Sequence, residues 1–165
     1  MFFLKSNKAQ SHQKVVMAFG TFDILHAGHE HYLNQAKELG DYLIVVVARD
    51  QTVRSVKGEA ATNSEKVRLN NLKKTGLANQ VVLGNTHDKH AVILKYKPAI
   101  LALGHDQFAF TQKLGKTLID AGLNTEIVRL MPYHPQVYKS SILRQKDHHT
   151  SDQLIKIENP ATQLN

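Results

Sequence analysis

The strongest restriction on how this chain can fold is the unbroken apolar run Tyr42–Ala48 (YLIVVVA), with Gly40 before it and Arg49 and Asp50 after it. A strand with one wet face alternates apolar and polar residues. This run does not, so it reads as a strand covered on both faces, as in a parallel sheet. It is far too short to cross a membrane. A strand of that kind needs parallel neighbours joined by crossovers, and the rest of the chain supplies them. Lys14–Gly20 (KVVMAFG) reads as a first strand, and His29–Leu39 as a helix with Tyr32, Leu33, Ala36 and Leu39 on one face, stopped by Gly40. Asn63 or Ser64 is placed to cap a helix through EKVRLNNLKKTG that closes at Gly76. NQVVLG, AILALG and NTEIVRL follow as strands three to five, with helices in DKHAVILKYK (ending before Pro98) and FTQKLGKTLIDAG between them. A last short helix is expected from about Ser140. The alternation predicts a doubly wound α/β sheet of five parallel strands with right-handed crossovers.

Composition narrows the partners. At 165 residues and 42% hydrophobic content the chain suits one domain with an ordinary core. The net charge of +7 favours anionic ligands: nucleic acid, an acidic membrane surface or a phosphorylated metabolite. The absence of cysteine excludes disulfides and thiolate metal sites. The apolar start Met1–Leu4 is too short for a secretory signal, so a cytoplasmic enzyme or binding protein is expected. Residues 1–13 read as a flexible extension, 14–146 as the domain and 147–165 as a polar tail.

The stretch GTFDILHAGH, Gly20–His29, lies where the first strand hands over to a helix. Ligands of open α/β sheets collect at the carboxyl ends of the strands, and an anion is expected at the start of the following helix. Gly20 would let a ligand approach the backbone. His26 and His29 are three residues apart and share one side of a helical turn, where each can donate to phosphate oxygens. As a zinc pair they lack an obvious third ligand beyond Asp23.

Gly20-Thr21-Phe22-Asp23 followed by His26-x-Gly28-His29 resembles the GTFD and HxGH elements of the cytidylyltransferase-like nucleotidyltransferases, over roughly Val15–Arg144. The resemblance implies a Rossmann-like fold with strand order 3-2-1-4-5. It assigns His26 and His29 to the triphosphate and the transition state at its α-phosphorus. It also assigns a lysine in the loop after strand two, here Lys57 in QTVRSVKGEA, to the triphosphate and the incoming phosphate; Arg54 is a weaker candidate. Gly20, Thr21, Phe22, Asp23, Gly28 and Arg68 would surround the nucleotide, although an exposed helix arginine describes Arg68 equally well. Gly104 and Asp106 of LALGHDQ would border the crevice from strand four. Asp106 is a candidate for ribose hydroxyls, for Mg²⁺ through water, or for a helix cap. YKSSILR resembles a phosphate-gripping Ser/Thr element and nominates Ser140 and Ser141, with Lys139 and Arg144 adding charge.

ARDQTVRSVKG, VVLGN and YKPAILALGHDQ resemble the archaeal-type FAD synthetases within that family. The resemblance implies ATP and FMN as substrates, with Mg²⁺ or another divalent cation, no nucleic acid or membrane partner, and a homodimer. Two alternatives stand: a CTP-dependent enzyme acting on a small phospho-alcohol such as glycerol 3-phosphate, against which the missing R-x-x-G-I-S-T-T string counts, and a catalytically silent nucleotide-binding module. Tyr133, Phe108 and Phe110 are candidate stacking residues for a flavin ring.

Overall fold

The structure is a computed structural model that describes residues 13–107 and 113–132. Its elements run β1 (Val15–Gly20), α1 (Ala27–Glu38), β2 (Tyr42–Val47), α2 (Asp50–Lys57), α3 (Glu65–Lys74), β3 (Gln80–Leu83), α4 (Ala91–Tyr96), β4 (Ile100–Gly104), α5 (Leu114–Asp120) and β5 (Glu126–Leu130). The five strands are all parallel, in the order β3-β2-β1-β4-β5. This is the expected doubly wound, Rossmann-like arrangement.

The unbroken run in β2 has a direct structural cause. Leu43, Val45 and Val47 point to one face of the sheet, where they meet Leu33 and Ala36 of α1 and Leu72 of α3. Ile44 and Val46 point to the other, where Val92 and Ile93 of α4 and Leu114 and Leu118 of α5 complete a second core. β1 divides in the same way, with Val16 and Ala18 on one face and Met17 and Phe19 on the other. Side chains that alternate across a pleat must all be apolar when both faces are covered. Each such buried side chain is worth about 1.5–3 kcal/mol relative to exposure.

Two local expectations change. QTVRSVKGEA is helical over most of its length: α2 takes in Lys57 and stops at Gly58, whose φ of 75° closes the helix while its N–H bonds the Arg54 carbonyl. No breaker precedes Gly58. Asp50 in the first turn and Arg54 and Lys57 in the last also suit the helix dipole. The helix α1 begins at Ala27, earlier than Gly28 or His29, because His26 itself caps it. The expected helix from Ser140, and the residues before Gln13, lie outside the described residues. No helix among the described residues is long and apolar enough to cross a membrane.

β1 and β4 part before either ends. Their pairing runs from Val16–Ile100 to Ala18–Ala102, while β1 continues to Gly20 and β4 to Gly104. This is the switch point of the sheet, since β1's two neighbours leave from opposite sides.

Candidate active site

The site grows from the turn after β1. Phe22 adopts a left-handed φ of 52°, and its ring folds back over Gly20. A Cβ on Gly20 would come within 2.7 Å of that ring. The glycine is thus required by the chain's own phenylalanine, and the space expected for a ligand at Gly20 is filled by Phe22, which is 1% exposed. Phe22 in turn backs the imidazole of His29, ring centroids 5.2 Å apart, and lies 6.5 Å from the Tyr32 ring.

Asp23 is equally inward, at 3% exposure. Its carboxylate accepts from the Thr62 N–H (2.7 Å), the Asn63 N–H (2.8 Å) and the Asn63 Nδ2 (3.2 Å). Burial alone would raise its pKa; these donors outweigh burial and hold it below the usual 3.8. Arg68 is wholly enclosed, so the reading of an exposed helix arginine is overturned. Its guanidinium donates to Thr21 O (2.6 Å), Asn63 O (3.0 Å) and Asp50 Oδ1 (2.6 Å). Phe22, Asp23 and Arg68 were expected around the nucleotide. The structure sets them behind the turn, as the frame that ties Gly20–Asp23 to α2 and α3. The frame continues through Glu65, which accepts from the Arg49 Nε and the Asp50 N–H.

On this frame stand two imidazoles. His26, in extended backbone, is the N-cap of α1: its Nδ1 accepts from the Gly28 N–H at 3.1 Å, and its carbonyl accepts from the N–H of His29. The Gly28 N–H expected to face a ligand is therefore taken by His26. The two rings stack at 3.9 Å between centroids, 23° from parallel. An Nδ1 that accepts leaves the neutral ring of His26 with its proton on Nε2. Burial lowers the His26 pKa from 6.5. The His29 pKa falls to about 3, through burial first and then the nearby charges of His26 and Lys57, against a smaller upward pull from the Ile24 carbonyl. His29 is half-buried, and its Nδ1 is closed off from solvent on the side of the Ile24 carbonyl. The structure brings His26 and His29 into contact, while Lys57, exposed at the end of α2, is near enough for its charge to lower the His29 pKa.

The far wall is the end of β4. Asp106 is exposed, and its charge is felt at the Tyr32 hydroxyl, whose pKa is raised first by burial. That hydroxyl sits in the gap between the parting strands, donating to Ala102 O (2.8 Å) and lying 3.3 Å from the Phe19 N and O. Gln107 lies farther out: its Nε2 donates to Phe19 O (2.7 Å) and its Oε1 accepts from Gly104 N (3.1 Å). Sequence reading passed over both polar roles. The usable signals were a tyrosine on the buried face of α1 and a glutamine directly after a buried strand. Ser140, Ser141, Tyr133, Phe108 and Phe110 lie outside the described residues. Among the described residues no three His, Asp or Glu side chains are grouped so as to hold a metal ion.

A parallel sheet in this order, with an imidazole pair at the head of the first helix, defines a Rossmann-like α/β protein with a candidate site at its switch point. The chain belongs to the cytidylyltransferase-like family, whose sequence profile matches residues 17–146. It is 40% identical over 131 residues to the FAD synthase of Thermoplasma volcanium, covering 79% of this chain and 92% of that one. It is 42% identical over 125 residues to the FAD synthase of Pyrococcus horikoshii, covering 75% and 82%. A crystal structure described as a lipopolysaccharide core biosynthesis protein, from Thermoplasma volcanium, matches with a TM-score of 0.69 at 39% identity, over 73% of this chain and 98% of that one. The pantoate-β-alanine ligase of Francisella tularensis shares the fold alone, with a TM-score of 0.53 at 14% identity over 84% and 70%.

Proposed function

We propose that this chain is an ATP:FMN adenylyltransferase. The observation that carries the reading is the stacked pair of His26 and His29, held at the carboxyl end of β1 with Lys57 alongside. The similarity to archaeal FAD synthases supports FMN as the acceptor. A phosphate oxygen of FMN attacks the α-phosphorus of ATP in line. The new oxygen–phosphorus bond forms as the bond from the α-phosphorus to the bridging β-oxygen breaks, giving FAD and pyrophosphate. The attacking group is already an anion, so the protein need not remove a proton. Its work is to position two anions and to offset charge on the phosphoryl oxygens.

His26 suits that work as a neutral donor, because its cap role uses Nδ1 and puts the ring proton on Nε2. Lys57 supplies a mobile positive charge. Thr21, Gly104 and Asp106 border the nucleotide, and Ser140 and Ser141 grip phosphates in the same reading. A divalent cation on the triphosphate would withdraw charge from the phosphates, and the exposed Asp106 would hold its water shell in this reading. The homodimer belongs to this proposal as well, and light scattering on the purified chain reads it directly.

The test is incubation with ATP or CTP against FMN and glycerol 3-phosphate, following FAD and pyrophosphate. FAD formed with ATP and FMN is the expected result. Turnover of CTP alone, or nucleotide binding without pyrophosphate release, overturns the assignment.

A further inference from the structure

We propose that Gln107 is a positioning residue for the nucleoside triphosphate: its carboxamide ties the parted ends of β1 and β4 and fixes the width of the crevice between them. The inference rests on the adenylyltransferase reading for the identity of the triphosphate. Backbone pairing between the two strands ends at Ala18–Ala102, so Phe19, Gly20, Leu103 and Gly104 have no ladder between them. Two side chains take its place in sequence. The Tyr32 hydroxyl fills the gap at the level of Ala102. Gln107 then spans it at the mouth, donating to Phe19 O at 2.7 Å and accepting from Gly104 N at 3.1 Å.

A primary amide makes both bonds with one planar group, donating from its nitrogen and accepting at its oxygen. The loop is shaped to present it. The Gln107 N–H also bonds the Gly104 carbonyl (3.2 Å), which Arg129 Nη1 approaches at 3.3 Å. Gly104 carries no side chain where the stem of Gln107 passes: a Cβ there would lie 3.6 Å from Gln107 Cγ and Cδ and 3.3 Å from Asp106 Oδ1. Asp106 lies between these two anchored residues, its Oδ1 beside Gly104. The amide fixes a docking surface and takes no part in bond making. Its loss should weaken nucleotide binding and leave the chemical step nearly unchanged.

The experiment uses the full chain with Gln107→Met, which keeps the length of the side chain, adds no charge and removes both bonds. Thr125→Val serves as the control, because it deletes a hydrogen bond to Pro98 O at the opposite end of the sheet. Calorimetric titration with ATP and steady-state kinetics with FMN are compared with thermal melting. The expected result is a Kd and KM for ATP raised at least fivefold in Gln107→Met with kcat within threefold, while Thr125→Val lowers Tm without moving either constant. A rise of less than fivefold, or an equal rise in Thr125→Val, overturns the proposal. If Gln107→Met does not fold, Gln107→Asn, one methylene too short to span both strands, is judged by the same threshold. Wild-type protein that binds ATP yet forms no FAD refutes the acceptor and leaves the tie to be decided by Kd alone. Absence of ATP binding by the wild type overturns both.

Discussion

His26 caps the helix through Nδ1 while the proposed donation to phosphate falls to Nε2, and the two duties can be separated. His26→Ala should lower kcat about 10²–10³-fold, the usual cost of losing one transition-state donor. It should also cost about 1 kcal/mol of stability through the lost cap. His26→Asn can still accept from the Gly28 N–H but falls short of the site, so it should lose kcat while keeping Tm. Kinetics and thermal melting on the two variants check this. His29 behaves differently. Its pKa falls from 6.5 in the unfolded chain to about 3 in the folded one. Between those values the unfolded chain binds more protons, so stability is full above pH 6.5 and is lost as the pH falls toward 3. Asp23 and Asp50, with lowered carboxylate pKa values, add their own loss only below about 3.8. The expected outcome is a Tm that declines between pH 6.5 and 4, with a shallower decline in His29→Gln.

Among the elements, the short segment between β1 and α1 depends on α2 and α3 more than on its own sequence. Arg68 is the link, since its three acceptors lie on the turn, the α2–α3 connection and the start of α2. Arg68→Met should therefore cost about 1–3 kcal/mol, since Thr21 O and Asn63 O lose their donor while the partly exposed Asp50 can return to water, read by chemical denaturation. Gly20→Ala should cost about 1–3 kcal/mol, as a methyl group driven into the Phe22 ring has to displace it. The order and limits of the strands were legible in the sequence because burial on two faces leaves continuous apolar runs. The histidine pair was legible through its spacing and position. The inward turn of Asp23 and Arg68 was not, because their partners at Thr62, Asn63 and Asp50 lie 18 to 40 positions away. The helix at Asp50–Lys57 escaped notice because polar residues cover all of it but Val53 and Val56, and only Val53 is buried.

For the molecule as a whole, the net charge of +7 acts on an encounter between a basic protein and two anions. Raising the salt concentration should increase KM for both ATP and FMN while kcat changes little, because screening acts on approach. A kcat that falls in parallel would place the charge effect in the chemical step. The two cores divide their labour between the faces of the sheet. α1 and α3 carry the frame of the site on one face, while α4 and α5 close the other.

Phe22 and Gly20 also bear on how such a protein can change over generations. Phe22→Gly would relax the left-handed backbone but strip the backing from His29, while any larger residue at position 20 meets the aromatic ring first. The two positions are therefore coupled: a larger residue at 20 is accommodated only once the ring at 22 has been reduced or displaced.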